Sequence, residues 1–172
     1  MRIGKLQTII HAVFASAIAC IGIAQLASCS GGGDSNDASV VKEAAAVSPW
    51  RSDIFFTGHF PAKNLPELYA GADFVVVPSI YEGFGMGAVE AMACGVPVIC
   101  ARAASLPETT EHAALYFDPM SIEDMADRMI TVSTDRDIYN ECRRLGLERA
   151  QYFSWDKCVG RTLQIIYETA GQ

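Results

Sequence analysis

From residue 52 onward, short apolar runs alternate with stretches whose apolar residues recur at helical spacing. That alternation predicts an α/β layer fold with a parallel sheet. DIFFTG, residues 53–58, reads as a first strand. NLPELYAGA reads as a short helix, with Pro66 in its first turn and Gly71 as its stop. In DFVVVPS the run from Phe74 to Val77 has no polar alternation, which predicts burial on both faces at the centre of a parallel sheet. A glycine-rich loop follows, then a helix from about Met86 to Ala93 closed by Gly95, then strands at VPVICA and AALYF.

Three helices complete the pattern. SIEDMADRMITV carries Ser121 as N-cap with Asp124 three residues on, and Ile122, Met125, Ala126, Met129 and Ile130 form one stripe. TDRDIYNECRRLGLERAQ takes Thr134 as its cap, and SWDKCVGRTLQIIYETA takes Ser154. In the last helix Trp155, Cys158, Val159, Thr162, Leu163 and Ile166 keep helical spacing and are expected to face a core.

The first 29 residues break this pattern. A short basic start with Arg2 and Lys5, an apolar stretch and small residues before Cys29 have the form of an export signal. Thr8 to Ala27 is also about long enough to span a bilayer as an uncleaved anchor. The Gly/Ser/Asp tract SGGGDSNDAS behind it has the composition of a tether. The expected organisation is therefore a signal at 1–29, a flexible linker at 30–51 and a folded domain at 52–172.

Charge narrows the partners. The chain carries 13 basic and 20 acidic residues, a net charge of −7. Without Arg2 and Lys5 the rest stands at 11 − 20 = −9, which argues against nucleic acid. Cys94, Cys100, Cys142 and Cys158 show no C-x-x-C pairing and read as buried free thiols. His59 and His112 stand without a metal-like neighbour.

The chemistry concentrates in EGFGMGAVE, residues 82–90, where Gly83, Gly85 and Gly87 fall between two glutamates. A strand's carboxyl end, a glycine turn and a helix N-terminus together make an anion site, because free N–H groups and the helix dipole point at the ligand. Phosphate beside Glu82 would be repelled unless that carboxylate faces hydroxyl groups of the same ligand. Glu90, in the second helical turn, can accept from another pair of hydroxyls. A nucleotide sugar offers sugar hydroxyls, a diphosphate and ribose hydroxyls. Such a turn also occurs with no ligand, so the nine residues leave both readings open. The spacing is G-x-G-x-G rather than G-x-G-x-x-G, and the next strand ends without an acid for a ribose, so a dinucleotide-binding dehydrogenase does not fit.

Taken with its flanks, from FTGHFPAKNLPELYAGADFVVVPS through LPE and AALYFDP to FSW, this stretch resembles the C-terminal part of the group 1 glycosyltransferases, glycosyltransferase family 4, of the GT-B fold. The resemblance runs from about Asp53 to Tyr167. It implies a partial Rossmann-like parallel sheet flanked by helices, and a metal-independent, retaining transfer of sugar from a UDP- or GDP-sugar to an acceptor of unknown identity. It implies that Glu82 holds donor-sugar hydroxyls in a positioning and electrostatic role at the catalytic centre. Gly83, Phe84, Gly85, Met86, Gly87 and Ala88 would contact sugar and diphosphate, and Glu90 the ribose. No metal or other cofactor is implied. The family usually has proline where Gly87 stands, so the loop is expected to be looser here.

Against the family's pattern, the resemblance starts at what would be the third strand of the C-terminal domain. The acceptor-binding domain and two strand–helix units, with an arginine and a lysine that grip the diphosphate, are expected to be absent, and a partner chain is one way to supply them. Between Lys63 and Arg128 the only lysine or arginine is Arg102. Two lost charge-assisted contacts at roughly 1.5–3 kcal/mol each predict weak donor binding by this chain alone.

Leu26-Ala27-Ser28-Cys29 resembles the lipobox of bacterial lipoproteins, which implies lipidation at Cys29 and a membrane-anchored location, and with it the alternative of a truncated, non-catalytic remnant or binding module carried as a lipoprotein. A misassigned start would instead leave the domain cytoplasmic or at the inner-membrane face.

Overall fold

The computed structural model describes residues 35–58 and 60–171. The expectations for residues 1–34, Cys29 included, and for His59 lie outside the described residues.

A three-stranded parallel sheet lies at the centre of the domain, in the order β1 (Val75–Val77), β2 (Val98–Ala101), β3 (Ala114–Phe117). Val75 pairs with Val98, and Val98 with Ala114. Parallel neighbours need a crossover. Helix α3 (Met86–Ala93) supplies the first, and helix α4 (Leu106–Thr110) lies in the second. Val77, Val98, Ile99, Cys100, Ala101 and Leu106 are completely buried and form the core with Ala88, Ala91 and Met92 of α3. Phe74 to Val77 are buried as expected, but β1 is an edge strand of the described sheet and β2 is the central one.

Helix α1 (Ser35–Val47) opens the described chain, α2 (Leu65–Ala70) packs on α3, α5 (Ile122–Thr134) and α6 (Arg136–Ala150) pack on β3, and α7 (Trp155–Ala170) closes it. Pro66 sits in the first turn of α2 and Gly71 caps its end. Ser121 accepts from the Asp124 N–H at 3.1 Å, and Ser154 from the Lys157 N–H at 3.2 Å. Gly146 brings α6 against α3, since a Cβ there would meet Met92 Cγ at 3.2 Å.

Several sequence expectations are corrected. Residues 54–58 form no strand, because no described chain pairs with them, and Phe55 and Phe56 are exposed. Residues 35–47 of the expected linker form α1; its second half, VVKEAAAV, carries Lys42, Glu43 and three alanines, all good helix formers, and no glycine. Asp135, not Thr134, caps α6: its carboxylate accepts from the Asp137 and Ile138 N–H groups, while Thr134 is the last residue of α5. Ile122 is exposed at the start of its stripe. Cys100 and Cys142 are buried, but Cys94 is half-buried and Cys158 exposed. Burial raises the Cys100 thiol to about 11. In α7 every residue of the expected core stripe is exposed, Trp155 at 77% and Ile166 at 53%, because no described segment lies against that helix.

Candidate functional site

The loop from Pro78 to Gly85 leaves the carboxyl end of β1 and opens α3. Gly85 is the N-cap, with φ +89° and ψ +45°, a left-handed conformation that glycine adopts without penalty. No side chain caps α3. The first-turn N–H groups of Met86 and Gly87 have no intrahelical acceptor and are available to an external one. Here the sequence reading holds in detail: the helix starts at Met86, and its open N-terminus stands at the carboxyl edge of a parallel sheet, where α/β folds bind ligands.

The two glutamates flank this point. Glu82 is half-buried in the loop, and Glu90 is half-buried in the second turn of α3, four residues beyond Met86. The buried Tyr69 phenol of α2 donates to Glu90 Oε2 at 3.3 Å. Burial, reinforced by the Glu90 carboxylate, raises the Tyr69 hydroxyl well above the usual tyrosine range, so it remains a donor at neutral pH. Gly83 and Phe84 are exposed, Gly87 is half-buried, and Ala88 is fully buried against the sheet. Ala88 therefore offers a ligand its backbone at most, and its N–H is already bonded to Gly85 O at 3.0 Å.

Sequence reading missed the groups that hold the loop. Ser105 Oγ donates to Glu82 O at 2.8 Å, and Thr109 Oγ1 donates to Phe84 O at 2.6 Å. Both flank or belong to α4, whose Leu106 packs so closely on Gly85 that a Cβ there would lie 2.7 Å from Leu106 Cδ2. Helix α4 is held in turn by Arg149 of α6, which donates to Thr109 O at 2.8 Å and Glu108 O at 2.9 Å and pairs with Glu111 at 2.9 Å. The Arg149 guanidinium also lies over the Phe153 ring, which meets Phe84 edge to face at 5.3 Å. Ser105-Leu-Pro-Glu108 has the S-x-x-E form of a capping box, which could have revealed α4. It would not have revealed Ser105's use, because that hydroxyl caps nothing and reaches the loop instead.

Among the described residues no group of three or more His, Cys, Asp or Glu could hold a metal ion, and no helix is long and apolar enough to cross a membrane.

Residues 29–149 match the family model described as glycosyl transferases group 1, about 70% of the chain (121 of 172 residues). The chain belongs to this family. Among the relatives of this group 1 glycosyltransferase chain, the O-antigen chain mannosyltransferase B of Escherichia coli is 39% identical over 110 residues, which cover 64% of this chain and 29% of that protein. The D-inositol 3-phosphate glycosyltransferase of Saccharomonospora viridis is 37% identical over 108 residues, 62% of this chain and 25% of the relative. The chain thus spans under a third of the length of these curated relatives. Sucrose-phosphate synthase of Thermosynechococcus elongatus superposes with a TM-score of 0.77 at 25% identity, covering 97% of this chain and 43% of that one. Anabaena HepE, solved in complex with UDP-glucose, superposes at 0.72 and 19% identity over 100% of this chain and 54% of its own. The α/β architecture is that of GT-B glycosyltransferases. The family match begins at Cys29, ahead of the boundary expected at Ser52.

Proposed function

We propose that this domain binds a nucleotide-sugar donor, a UDP- or GDP-sugar, for retaining, metal-independent glycosyl transfer of the family 4 kind. The observation that carries the reading is the uncapped N-terminus of α3 at Gly85, flanked by Glu82 and Glu90 in a group 1 glycosyltransferase domain. In this reading the diphosphate lies on the N–H groups of the loop and of Met86 and Gly87, where the helix dipole favours negative charge. Glu82 holds the sugar hydroxyls and stabilises positive charge developing at the anomeric carbon. Glu90, oriented by the Tyr69 hydroxyl, accepts from the ribose hydroxyls. The solution of HepE with UDP and with UDP-glucose supports the donor class. The acceptor, and a second domain or partner chain to present it, belong to the rest of this proposal.

Thermal melts with UDP-glucose and with GDP-mannose test the donor site. One of the two should raise the wild-type transition. Glu90→Gln removes a charged acceptor at similar size and should weaken that donor by about 10- to 100-fold, the equivalent of roughly 1.5–3 kcal/mol. No shift of the wild type by either donor at millimolar concentration would defeat the reading.

A second reading, a non-catalytic binding module carried as a lipoprotein, rests on the Leu26–Cys29 tetrad. Growth with a lipid analogue should label the native protein and not Cys29→Ala, and an unlabelled native protein removes it.

A further inference from the structure

The donor loop's conformation is imposed from outside the loop. Its carbonyls at Glu82 and Phe84 both turn to one side, to hydroxyls on α4 and its cap, Ser105 at 2.8 Å and Thr109 at 2.6 Å. A trans peptide is planar, with its C=O and N–H pointing in opposite directions. Fixing the Glu82 carbonyl toward α4 therefore turns the Gly83 N–H away from it, and fixing the Phe84 carbonyl does the same for the Gly85 N–H. Those two donors then stand on the side away from α4 and continue into the open first turn of α3. Thr109 is 4% exposed, and the Leu106 side chain between the two hydroxyls closes on Gly85.

On the reading of this loop as the diphosphate contact, we infer that Ser105 and Thr109 are positioning residues for the donor: their hydroxyls orient the Gly83 and Gly85 N–H groups toward the diphosphate. Neither side chain touches the ligand. Both act through the loop peptides, so the hydroxyl matters and side-chain bulk does not.

Thr109→Val keeps the shape and deletes the hydroxyl, Thr109→Ser keeps the hydroxyl, and Ser105→Ala deletes the other one. Affinity for UDP-glucose and GDP-mannose is read by titration calorimetry on the full chain, with the amide chemical shifts of Gly83 and Gly85 followed without ligand. Thr109→Val and Ser105→Ala should each weaken donor binding about five- to tenfold and move the amide resonances of both glycines, while Thr109→Ser stays near wild type in both. Wild-type affinity and amide shifts in Thr109→Val would overturn the inference and leave the donor reading standing. If Thr109→Ser loses as much as Thr109→Val, packing and not the hydroxyl is responsible, and the inference fails. A wild type that binds neither donor defeats the donor reading itself, and the inference with it.

Discussion

Gly85→Ala lowers the melting temperature by on the order of 10 °C and abolishes whatever donor binding the wild type shows. Two costs combine at this position. An alanine at φ +89° is held in the left-handed region, at about 1–2 kcal/mol. Its Cβ also lies 2.7 Å from Leu106 Cδ2, and Leu106 is completely buried, so its methyl has no space into which to move. Overpacking of this kind costs roughly 1–3 kcal/mol. The sum, about 2–5 kcal/mol, corresponds to a shift of that order in a domain of this size. Gly83→Ala is the control: its φ is outside the left-handed range and nothing lies within 4 Å of the added Cβ. It should melt at or slightly above the wild-type temperature. Equal melting of the two variants, measured by calorimetry, would mean that Leu106 does not press on this turn.

The second large effect is at Arg149. Its guanidinium donates to the carbonyls of Glu108 and Thr109, stacks over Phe153 and is only 15% exposed. Arg149→Met leaves those carbonyls without this charged donor and frees the end of α4, at about 2–4 kcal/mol. Chemical denaturation should register that loss as a lower midpoint, and donor affinity should fall with it, because α4 carries the loop's two hydroxyls. Arg149→Lys keeps the charge but not the planar fork, and should recover only part of the loss. The ion pair itself contributes little, since the Glu111 side chain is 48% exposed. Glu111→Gln should therefore shift the midpoint far less than Arg149→Met. If Glu111→Gln matches it, the surface pair and not the carbonyl contacts holds α4.

These two residues separate what was legible along the chain from what was not. Gly85 stands out in EGFGMGAVE, and the helix that it opens begins at Met86 as the pattern predicts. Arg149 gives no such sign. It lies 40 residues from Thr109, in a helix whose pattern marks it only as a polar position. Ser105 and Thr109 are likewise 23 and 25 residues from the carbonyls that they hold. Among the described residues the cysteines, which draw attention first in a search for chemistry, approach the site only through Cys94, one turn beyond Glu90 at the end of α3, whose thiol is raised by burial and by that carboxylate.

The failed expectations share a cause. FFT in residues 55–57 has strand-like composition, but a strand exists only where a neighbour completes its ladder, and no described segment does so. The apolar stripe of α7 has correct helical spacing, and the helix forms under its Ser154 cap, yet its apolar side chains remain exposed. Periodicity identifies the face that would be buried and says nothing about what would cover it.

The sequence by itself determined the features that depend on neighbours within a few residues: the buried runs that become β1 and β2, the caps at Ser121 and Ser154, and the glycine turn that opens α3 between two glutamates. Tertiary structure alone decided which strand is central, that Tyr69 reaches Glu90, and that α4, held by Arg149, fixes the loop's carbonyls on one side. The physical reason is range. Capping and turn geometry are settled by local dihedrals and hydrogen bonds, whereas the orientation of a loop's N–H groups is settled by side chains that only folding brings within 3 Å.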